Sequence, residues 1–342
     1  MKVLIIANNL EGNVDGIGKH ARIVGNEMKN QGVHVVYSTG TTWQMSKWKL
    51  FFSMAMCKAY LKAIYKVLKS DFDFVDIEYP FMEYNPLVLL FHILLWIVTR
   101  PIKTKVSLSM HEHDRVKPLR RLMIDSLLPF CDLIFISEEK YFKSMPKYAH
   151  KMHLRIIPSH GIKFYSNLKD FDVHTRYCYF GLVNGSKAFE EMLNAWKEFN
   201  KDGLYSLDIV TRSNLSNWNF SLYKGVKCYF NLSDNESGHV LSKAVFSIIP
   251  VLPEIGYNNS SFVSTIQCGC IPMGIFNDDL KDEPFVLNMK SYNQGDFVEL
   301  LKQSQTLLDL KARSALAIEF GKLFSVEKTA SMMISEFQNY IK

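Results

Sequence analysis

The chain has 342 residues, 48% of them hydrophobic, and this length and apolar content suit two α/β domains better than one. Its formal net charge of +6 indicates a basic surface but is too small for a dedicated nucleic-acid-binding protein. The six cysteines form no C-x-x-C pair and are scattered through apolar segments, which indicates reduced, mostly buried thiols in a cytosolic protein.

The first forty residues predict a strand, loop, helix and strand in succession. Residues 3–7 form a continuous apolar run, the pattern of a parallel strand covered on both faces. A loop leads to Gly16-Ile17-Gly18, a helical pattern follows, and residues 33–37 form a second apolar run, as in a right-handed βαβ unit. Glycines let a ligand approach the backbone, and the N–H groups of the helix can bind an anion, so Gly16 and Gly18 are candidate binding residues.

The same glycines also match the letters of the dinucleotide fingerprint G-x-G-x-x-A. In that fingerprint the first glycine directly follows the strand, whereas residues 8–15 intervene here, and the second strand ends without an acidic ribose ligand. The layout resembles the first unit of the retaining family-4-type glycosyltransferases, which have the GT-B fold. In that family this loop lies in the cleft between two domains and faces the acceptor and the donor phosphates.

Two segments of the first half have a composition that suits a membrane surface. Residues 86–98 are apolar for only thirteen positions, whereas a span needs about 20, so they predict either a buried helix or a patch that touches lipid. Residues 45–69 interleave lysines with aromatic side chains, which is typical of a basic amphipathic helix on anionic headgroups. An ordinary surface helix with solvated lysines explains the second segment equally well.

Three further strands are predicted in the first half, at residues 72–80, 105–110 and 131–137, and each ends in polar residues. The richest end is His111-Glu112-His113-Asp114-Arg115. Two histidines at i and i+2 would need a partner ligand to hold a metal ion, and no other His/Cys pair offers itself, so we expect no metal. The alternative to a functional role is a solvated loop with structural hydrogen bonds.

The resemblance gives this cluster a role. In the family a histidine after this strand contacts the donor sugar or the reacting centre, and His111 takes that position. A neutral imidazole can exchange hydrogen bonds with sugar hydroxyls near physiological pH. A neighbouring carboxylate, Glu112 or Asp114, is a candidate general base, and the sequence leaves the choice between them open.

A polar linker around residues 156–176 separates this half from a second one. The resemblance places Lys187 at the start of a helix, where its charge and the helix N-terminus would act together on the diphosphate of a sugar nucleotide. Leu182 stands where many relatives carry an arginine that shares the diphosphate. Arg212, at the end of the next predicted strand, is the candidate to replace that arginine.

A later segment resembles the family's donor-binding glutamate motif but departs from it. Glu254 takes the position of the first glutamate, whereas Phe262 stands in place of the second. The segment fits better a divergent subset whose helix opens with a serine, here Ser261. The residues that we expect to form a phosphate-binding cradle are Asn258, Asn259, Ser260 and Ser261. An ordinary helix N-cap is the alternative for these residue types.

The resemblance implies an α/β fold of the GT-B type, with two Rossmann-like doubly wound domains, a cleft between them and a C-terminal crossover helix. Residues 1–165 would form the acceptor-side domain, residues 172–322 the nucleotide-sugar domain, and residues 323–342 a helix that packs back on the first domain. The last segment is amphipathic, which suits such a helix.

The implied function is transfer of a sugar from a nucleotide diphosphate sugar, a UDP-sugar being favoured, to a hydroxyl of a growing glycan. The expected glycan is a bacterial-type surface polysaccharide, O-antigen or capsule, and whether it is linked to a lipid stays open. Retention of configuration, a hexosyltransferase activity and independence of metal and other cofactors are expected. Three alternatives stay open: a nucleotide-sugar epimerase, a dinucleotide oxidoreductase and a catalytically inactive partner subunit.

The chain enters a strand at once and shows no signal peptide. We therefore expect a cytoplasmic protein, with peripheral contact to an anionic membrane at the inner face of the plasma membrane. No nucleic-acid partner is expected.

Overall fold

The computed structural model describes residues 1–8, 16–40, 54–79, 85–111, 113, 116–155, 171, 176–183 and 188–341. The chain divides into two compact units. Unit 1 comprises Met1–Ile157 together with Val326–Lys342, and unit 2 comprises Pro158–Ser325. Among the described residues, every helix is too short or too polar to cross a bilayer.

Unit 1 is built on a six-stranded parallel sheet in the order β2-β1-β3-β4-β5-β6. Its strands are β1 (Lys2–Ala7), β2 (His34–Thr39), β3 (Phe74–Tyr79), β4 (Lys105–Met110), β5 (Leu133–Ile136) and β6 (Met152–Leu154). Among the described residues, unit 1 has five α-helices before the segment that forms unit 2 and one α-helix after it. They are α1 (Gly16–Asn30), α2 (Ala55–Lys69), α3 (Leu87–Thr99), α4 (Pro118–Leu127), α5 (Lys140–Ser144) and α11 (Val326–Ile341).

Alternate residues of the strands of unit 1 face two different helical layers. Val75 and Ile77 pack in a core cluster with side chains of α2, α3 and α4. Phe74 packs on the other face, in a cluster with α1 and α11. Phe337 of α11 stacks on Phe74 with ring centroids 4.2 Å apart, so the last helix is anchored on the sheet of unit 1.

Helix α3 is buried on one side only. Val88, His92, Leu95 and Thr99 are its buried residues, and leucines on the opposite side are exposed to solvent. The expectation of a buried helix in this segment therefore holds for half of its surface.

Unit 2 repeats the architecture with a parallel sheet in the order β12-β11-β10-β7-β8-β9. Its strands are β7 (Arg176–Phe180), β8 (Ser206–Thr211), β9 (Val226–Phe230), β10 (Phe246–Ile248), β11 (Ile271–Gly274) and β12 (Leu287–Asn288). Its helices are α6 (Phe189–Phe199), α7 (Asp234–Leu241), α8 (Ser260–Gln267), α9 (Gln294–Gln305) and α10 (Leu310–Gly321).

The core of unit 2 is rich in aromatic side chains. Tyr177 stacks on Phe246 at 5.2 Å between ring centroids and meets Trp196 edge to face at 5.3 Å. All six cysteines of the chain are free thiols and five of them are buried, as predicted. The prediction of an α/β protein with two doubly wound, Rossmann-like units is confirmed.

Candidate functional site

The strand orders indicate where each unit binds a ligand. All strands are parallel, but the order in which they are added to the sheet reverses between β1 and β3 in unit 1 and between β7 and β10 in unit 2. Ligands of open parallel sheets bind outside the carboxyl ends of the strands at such a reversal. The candidate residues therefore have to be sought at the ends of these strands.

His111 directly follows β4 and its backbone is held by both neighbouring strands. Its N–H donates to the Tyr79 carbonyl at the end of β3 (3.0 Å). Its carbonyl accepts from the Ser137 hydroxyl, which follows β5 (3.0 Å). Because three adjacent strands fix this residue, the imidazole has a defined position at the carboxyl edge of the sheet.

The side chain of His111 belongs to a buried ionic cluster. Its Nε2 lies 2.5 Å from Oε2 of Glu78, the fifth residue of β3. Arg155 follows β6 and donates hydrogen bonds to Glu78 from both terminal nitrogens, each 3.2 Å from one carboxylate oxygen. Arg155 Nη2 also lies 3.0 Å from His111 Nε2. These three residues are at most 5% exposed, so their charges interact with little solvent screening.

The charge of Glu78 is stabilised by its neighbours. Burial alone would raise the pKa of Glu78, but the charges of Arg155 and His111 outweigh it and hold the pKa well below the usual range. Glu78 is therefore a carboxylate at neutral pH. The Glu78 carboxylate can accept only from a protonated His111 Nε2, whereas the Arg155 guanidinium can donate only to an unprotonated one, so the two contacts favour opposite tautomers of a neutral ring.

A second carboxyl group of β3, Asp76, is in the opposite situation. Burial and the neighbouring charge of Glu78 raise its pKa to about 7, although Arg155 and two hydroxyl groups act in the other direction. Ser107 donates to Asp76 at 2.7 Å and Ser109 at 3.1 Å. Two carboxyl groups on the same face of one strand thus differ in protonation near neutral pH.

His20 of α1 completes the cluster. Its ring lies edge to face against that of His111, with centroids 4.7 Å apart. The ligand atoms of His20, Glu78 and His111 are within 4.8 Å of one another, a spacing that a metal ion could use. The guanidinium of Arg155, in contact with two of these three groups, would repel such a cation. The arrangement favours an ion-paired cluster over a metal centre.

His111 and His113, which lie two positions apart in the chain, contact different carboxylates. His113 Nε2 lies 2.8 Å from Asp125 Oδ1 on α4, away from the partners of His111. The two histidines therefore have separate partners and do not share a ligand. The two candidate bases, Glu112 and Asp114, lie outside the described residues.

The predicted glycines mark the start of α1. This helix begins at Gly16 and follows β1, at the reversal point of the sheet. Gly18 is buried, whereas a Cβ on Gly16 would meet nothing within 4 Å. Close packing within the described part of the chain thus does not require a glycine at position 16. The helix N-terminus remains suited to an anion or a sugar hydroxyl.

In unit 2 the loops after β7 and β8 are joined by Ser213. The Val183 N–H donates to the Ser213 hydroxyl (2.7 Å), which donates back to the Val183 carbonyl (3.2 Å). Leu182 is exposed beside them, and its carbonyl accepts from the Tyr179 hydroxyl. Lys187 lies outside the described residues.

Arg212 follows β8, but its charge is already engaged. Its Nη2 lies 3.6 Å from Oδ1 of Asp234, at the start of α7. Both side chains are partly exposed, so the pair is a weak one. A diphosphate would have to compete with Asp234 for this arginine, which weakens the case for Arg212 as the replacement of the missing family arginine.

The remaining candidates lie between β10 and α8. Glu254 precedes Ile255, whose backbone N–H donates to the Ile275 carbonyl (2.7 Å), so this segment is fixed beside β11. Asn259 is the N-cap of α8, and its side chain accepts from the Phe262 N–H (2.9 Å). The ordinary capping role is therefore what the Asn259 amide oxygen performs.

Helix α8 begins at Ser260, one residue before the serine that we predicted to open it. The backbone N–H groups of Ser260 and Ser261 have no acceptor among the described residues, as is usual in the first turn of a helix. Ser261 is buried, and Asn258 lies just outside the helix. These N–H groups and the helix dipole are suited to an anion, and they lie where the strand order of unit 2 reverses.

Four members of the buried cluster were not predicted from the sequence: His20, Asp76, Glu78 and Arg155. A signal was present for the two that lie on β3, Asp76 and Glu78. Strand β3 carries carboxyl groups at alternate positions, and β4 carries serines at the paired positions, in strands that should be apolar on both faces. No comparable signal marks Arg155 or His20.

Comparison of the sequence with protein-family models and with curated proteins gives no match. The structure, in contrast, is similar to many solved structures. One of them is HepE from Anabaena, in complex with UDP and glucose. The superposition covers 99% of this chain and 100% of HepE, with a TM-score of 0.70 and 9% sequence identity. Another is the catalytic domain of starch synthase IV from Arabidopsis thaliana, bound to ADP and acarbose. The superposition covers 99% of each chain, with a TM-score of 0.66 and 9% sequence identity.

An α-glucosyltransferase in complex with UDP and a 13-mer DNA matches 100% of this chain with 99% of its own, at a TM-score of 0.62 and 14% identity. At such identities the likeness concerns the fold. These neighbours are GT-B glycosyltransferases. The chain has the GT-B fold.

Proposed function

We propose that this protein is a glycosyltransferase that moves a sugar from a nucleoside diphosphate sugar to a hydroxyl group. The observation that carries the proposal is the full-length likeness to enzymes solved with UDP or ADP bound. A UDP-sugar is the favoured donor, because UDP is the nucleotide in two of these three structures.

Unit 2 would hold the donor diphosphate. The N-terminus of α8 offers the N–H groups of Ser260 and Ser261, and Lys187 would add a positive charge. Glu254 lies next to this position in the chain and would accept hydrogen bonds from donor hydroxyls. Positive charge and helix N-termini would stabilise the leaving diphosphate without a metal ion.

Unit 1 would supply the chemistry. The bond between the anomeric carbon and the diphosphate oxygen breaks, and a bond from the same carbon to the acceptor oxygen forms. The proton of the acceptor hydroxyl passes to a base, for which Glu112 and Asp114 are the candidates. His111 would contact the reacting sugar, with Glu78 and Arg155 fixing the orientation of its ring.

The finer features of the proposal come from the sequence resemblance. They are transfer with retention of configuration, a hexose as the transferred sugar, and an acceptor on a growing bacterial-type surface glycan such as a capsule or O-antigen. A cytoplasmic location suits a nucleotide-sugar donor.

A second candidate is a catalytically inactive subunit that binds a sugar nucleotide. It is favoured by Phe262, which stands where the family's second glutamate would be, and by the engagement of Arg212 with Asp234. Such a subunit would bind the donor without cleaving it.

A thermal-shift panel of UDP, ADP, GDP, NAD and FAD, with a chelator present, tests the proposal. A ligand that binds only the folded protein raises the melting temperature, and we expect the shift with UDP. Slow hydrolysis of the matching UDP-sugar would then separate an active enzyme from an inactive subunit. A shift with NAD or FAD alone would overturn the proposal.

A further inference from the structure

One outer face of unit 1 is apolar. Helix α3 has no charged side chain over its thirteen residues. Its outward side carries Leu87, Leu90, Leu94 and Ile97, which are 45%, 60%, 40% and 53% exposed. This spacing aligns the four side chains along one stripe. A helix that is apolar on all sides is normally buried, so the exposed stripe needs a partner.

The neighbouring helices extend this surface, because α2 and α4 both pack against α3. Leu61, Tyr65 and Leu68 are exposed on α2, and Leu119 and Leu122 on α4. We call the solvent-facing surface of α2, α3 and α4 the outer helical face.

The charges on the outer helical face have nearly one sign. Exposed Lys58, Lys62 and Lys69 alternate with the apolar residues of α2. Helix α4 carries the half-buried Arg120 and the exposed Arg121, whose Nε donates to the His113 carbonyl. The three helices contain one carboxylate, Asp125, which lies 2.8 Å from His113 Nε2. An apolar centre flanked by cations is complementary to acyl chains beneath negatively charged headgroups.

The opposite helical layer of unit 1 shows that this composition is specific to one face. The outward positions of α1 and α11 are mainly polar and include charges of both signs, such as Lys29, Glu327 and Lys328. Helix α3 is about 20 Å long, too short to span a bilayer of about 30 Å but long enough to lie in its surface.

We propose that the outer helical face docks on an anionic lipid bilayer. Helix α3 lies parallel to the membrane with its leucines among the acyl chains. The exposed lysines of α2 contact lipid phosphates, and the exposed Arg121 of α4 adds to the positive charge beside them. This docking is independent of the proposed function, because the apolar residues and lysines that carry it belong neither to the buried cluster of His111 nor to the residues proposed to bind the donor.

Co-sedimentation tests the proposal. We would incubate the full chain, without donor or acceptor, with vesicles of phosphatidylcholine alone or with an equal part of phosphatidylglycerol. We expect sedimentation with the anionic vesicles at low salt, reduced by added salt and weak with the neutral vesicles. No sedimentation with anionic vesicles would overturn the proposal and would leave the nucleotide-binding test unaffected.

Two variants locate the contact. The variant Leu90→Ser/Leu94→Ser/Ile97→Ser should weaken partition onto anionic vesicles by at least about tenfold, since three apolar side chains leave the membrane. The matched control Leu204→Ser/Leu222→Ser/Leu308→Ser changes three exposed leucines of unit 2 and should bind as the wild type does. Unchanged melting temperatures would show that both variants fold.

Three other outcomes would also overturn the proposal. Equal binding by the α3 variant and the wild type would exclude the outer helical face. Loss of binding only on substitution of residues 43–52 would assign the contact to the segment before α2. Dimers in analytical ultracentrifugation that the α3 variant abolishes, without vesicle binding, would identify a second copy of the chain as the partner.

Discussion

The two units carry different kinds of polar group in their interiors. Among the described residues, unit 1 buries ionisable side chains, including Asp76, Glu78, His111 and Arg155. The buried polar side chains of unit 2 are all hydroxyls and amides, such as Thr265 and Gln267. Both units nevertheless have the same sheet architecture, with six parallel strands whose order reverses once.

We propose that this difference corresponds to a division of labour between the units. Burying charge is costly unless each group is paired, so an ionic cluster at the end of a sheet suits chemistry that needs a positioned proton or charge. Backbone N–H groups at a helix start bind an anion without any buried charge of their own. Under this proposal, unit 2 would bind the donor diphosphate and unit 1 would contact the reacting sugar.

The largest expected effect is on stability, from Arg155→Met. Glu78 would remain charged and buried with no guanidinium beside it, which costs about 3–5 kcal/mol. Urea denaturation measures the loss. The double variant Arg155→Met/Glu78→Gln removes both charges and should recover part of the stability. Equal losses in the single and double variants would contradict the ion pair.

Asp76→Asn should change the pH dependence of stability. Folding raises the pKa of Asp76 from 3.8 to about 7. The stability that the protonated carboxyl group contributes to the fold is therefore fully present below about pH 4 and is lost as the pH rises through 7. The asparagine of the variant does not titrate, so its stability does not fall in this range. The free energy of unfolding of the variant, relative to that of the wild type, should therefore rise by on the order of 2–4 kcal/mol between pH 4 and pH 8. Parallel stability curves, measured by thermal unfolding, would show that Asp76 titrates normally.

His111→Ala should lower kcat by about a hundredfold while the affinity for UDP stays within about twofold. Turnover of a UDP-sugar and calorimetric titration with UDP measure the two quantities. The matched control is His113→Ala, because His113 pairs with Asp125 outside the cluster. A loss of UDP affinity equal to the loss of kcat would place the nucleotide, not the reacting sugar, at His111.

Lys187→Ala should weaken UDP binding by about tenfold, since one charge-assisted contact to the diphosphate is removed. Lys197→Ala provides the control, because Lys197 is exposed in the last turn of α6. Unchanged affinity in calorimetry would remove Lys187 from the donor site.

The sequence predicted those features that depend on local pattern. The opening βαβ unit and the position of His111 at a strand end follow from apolar runs and the polar residues after them, whereas the family resemblance gave the helix start near Ser261. Each involves residues close together in the chain, for which propensity and periodicity are informative.

The buried cluster could not be predicted in the same way, because its members are far apart in the chain. Glu78 is separated from His111 by 33 positions and from Arg155 by 77. They meet only because β3, β4, β5 and β6 are adjacent and in register. The exposed side of α3 was equally hidden, since its composition alone does not tell a buried helix from a half-exposed one.

Hydrogen exchange with and without UDP, followed by mass spectrometry, tests the division of labour most directly. The account predicts that UDP slows exchange most in unit 2, in peptides that cover residues 181–188 and 249–262. Greatest protection in residues 1–40 of unit 1, with these peptides unchanged, would contradict it.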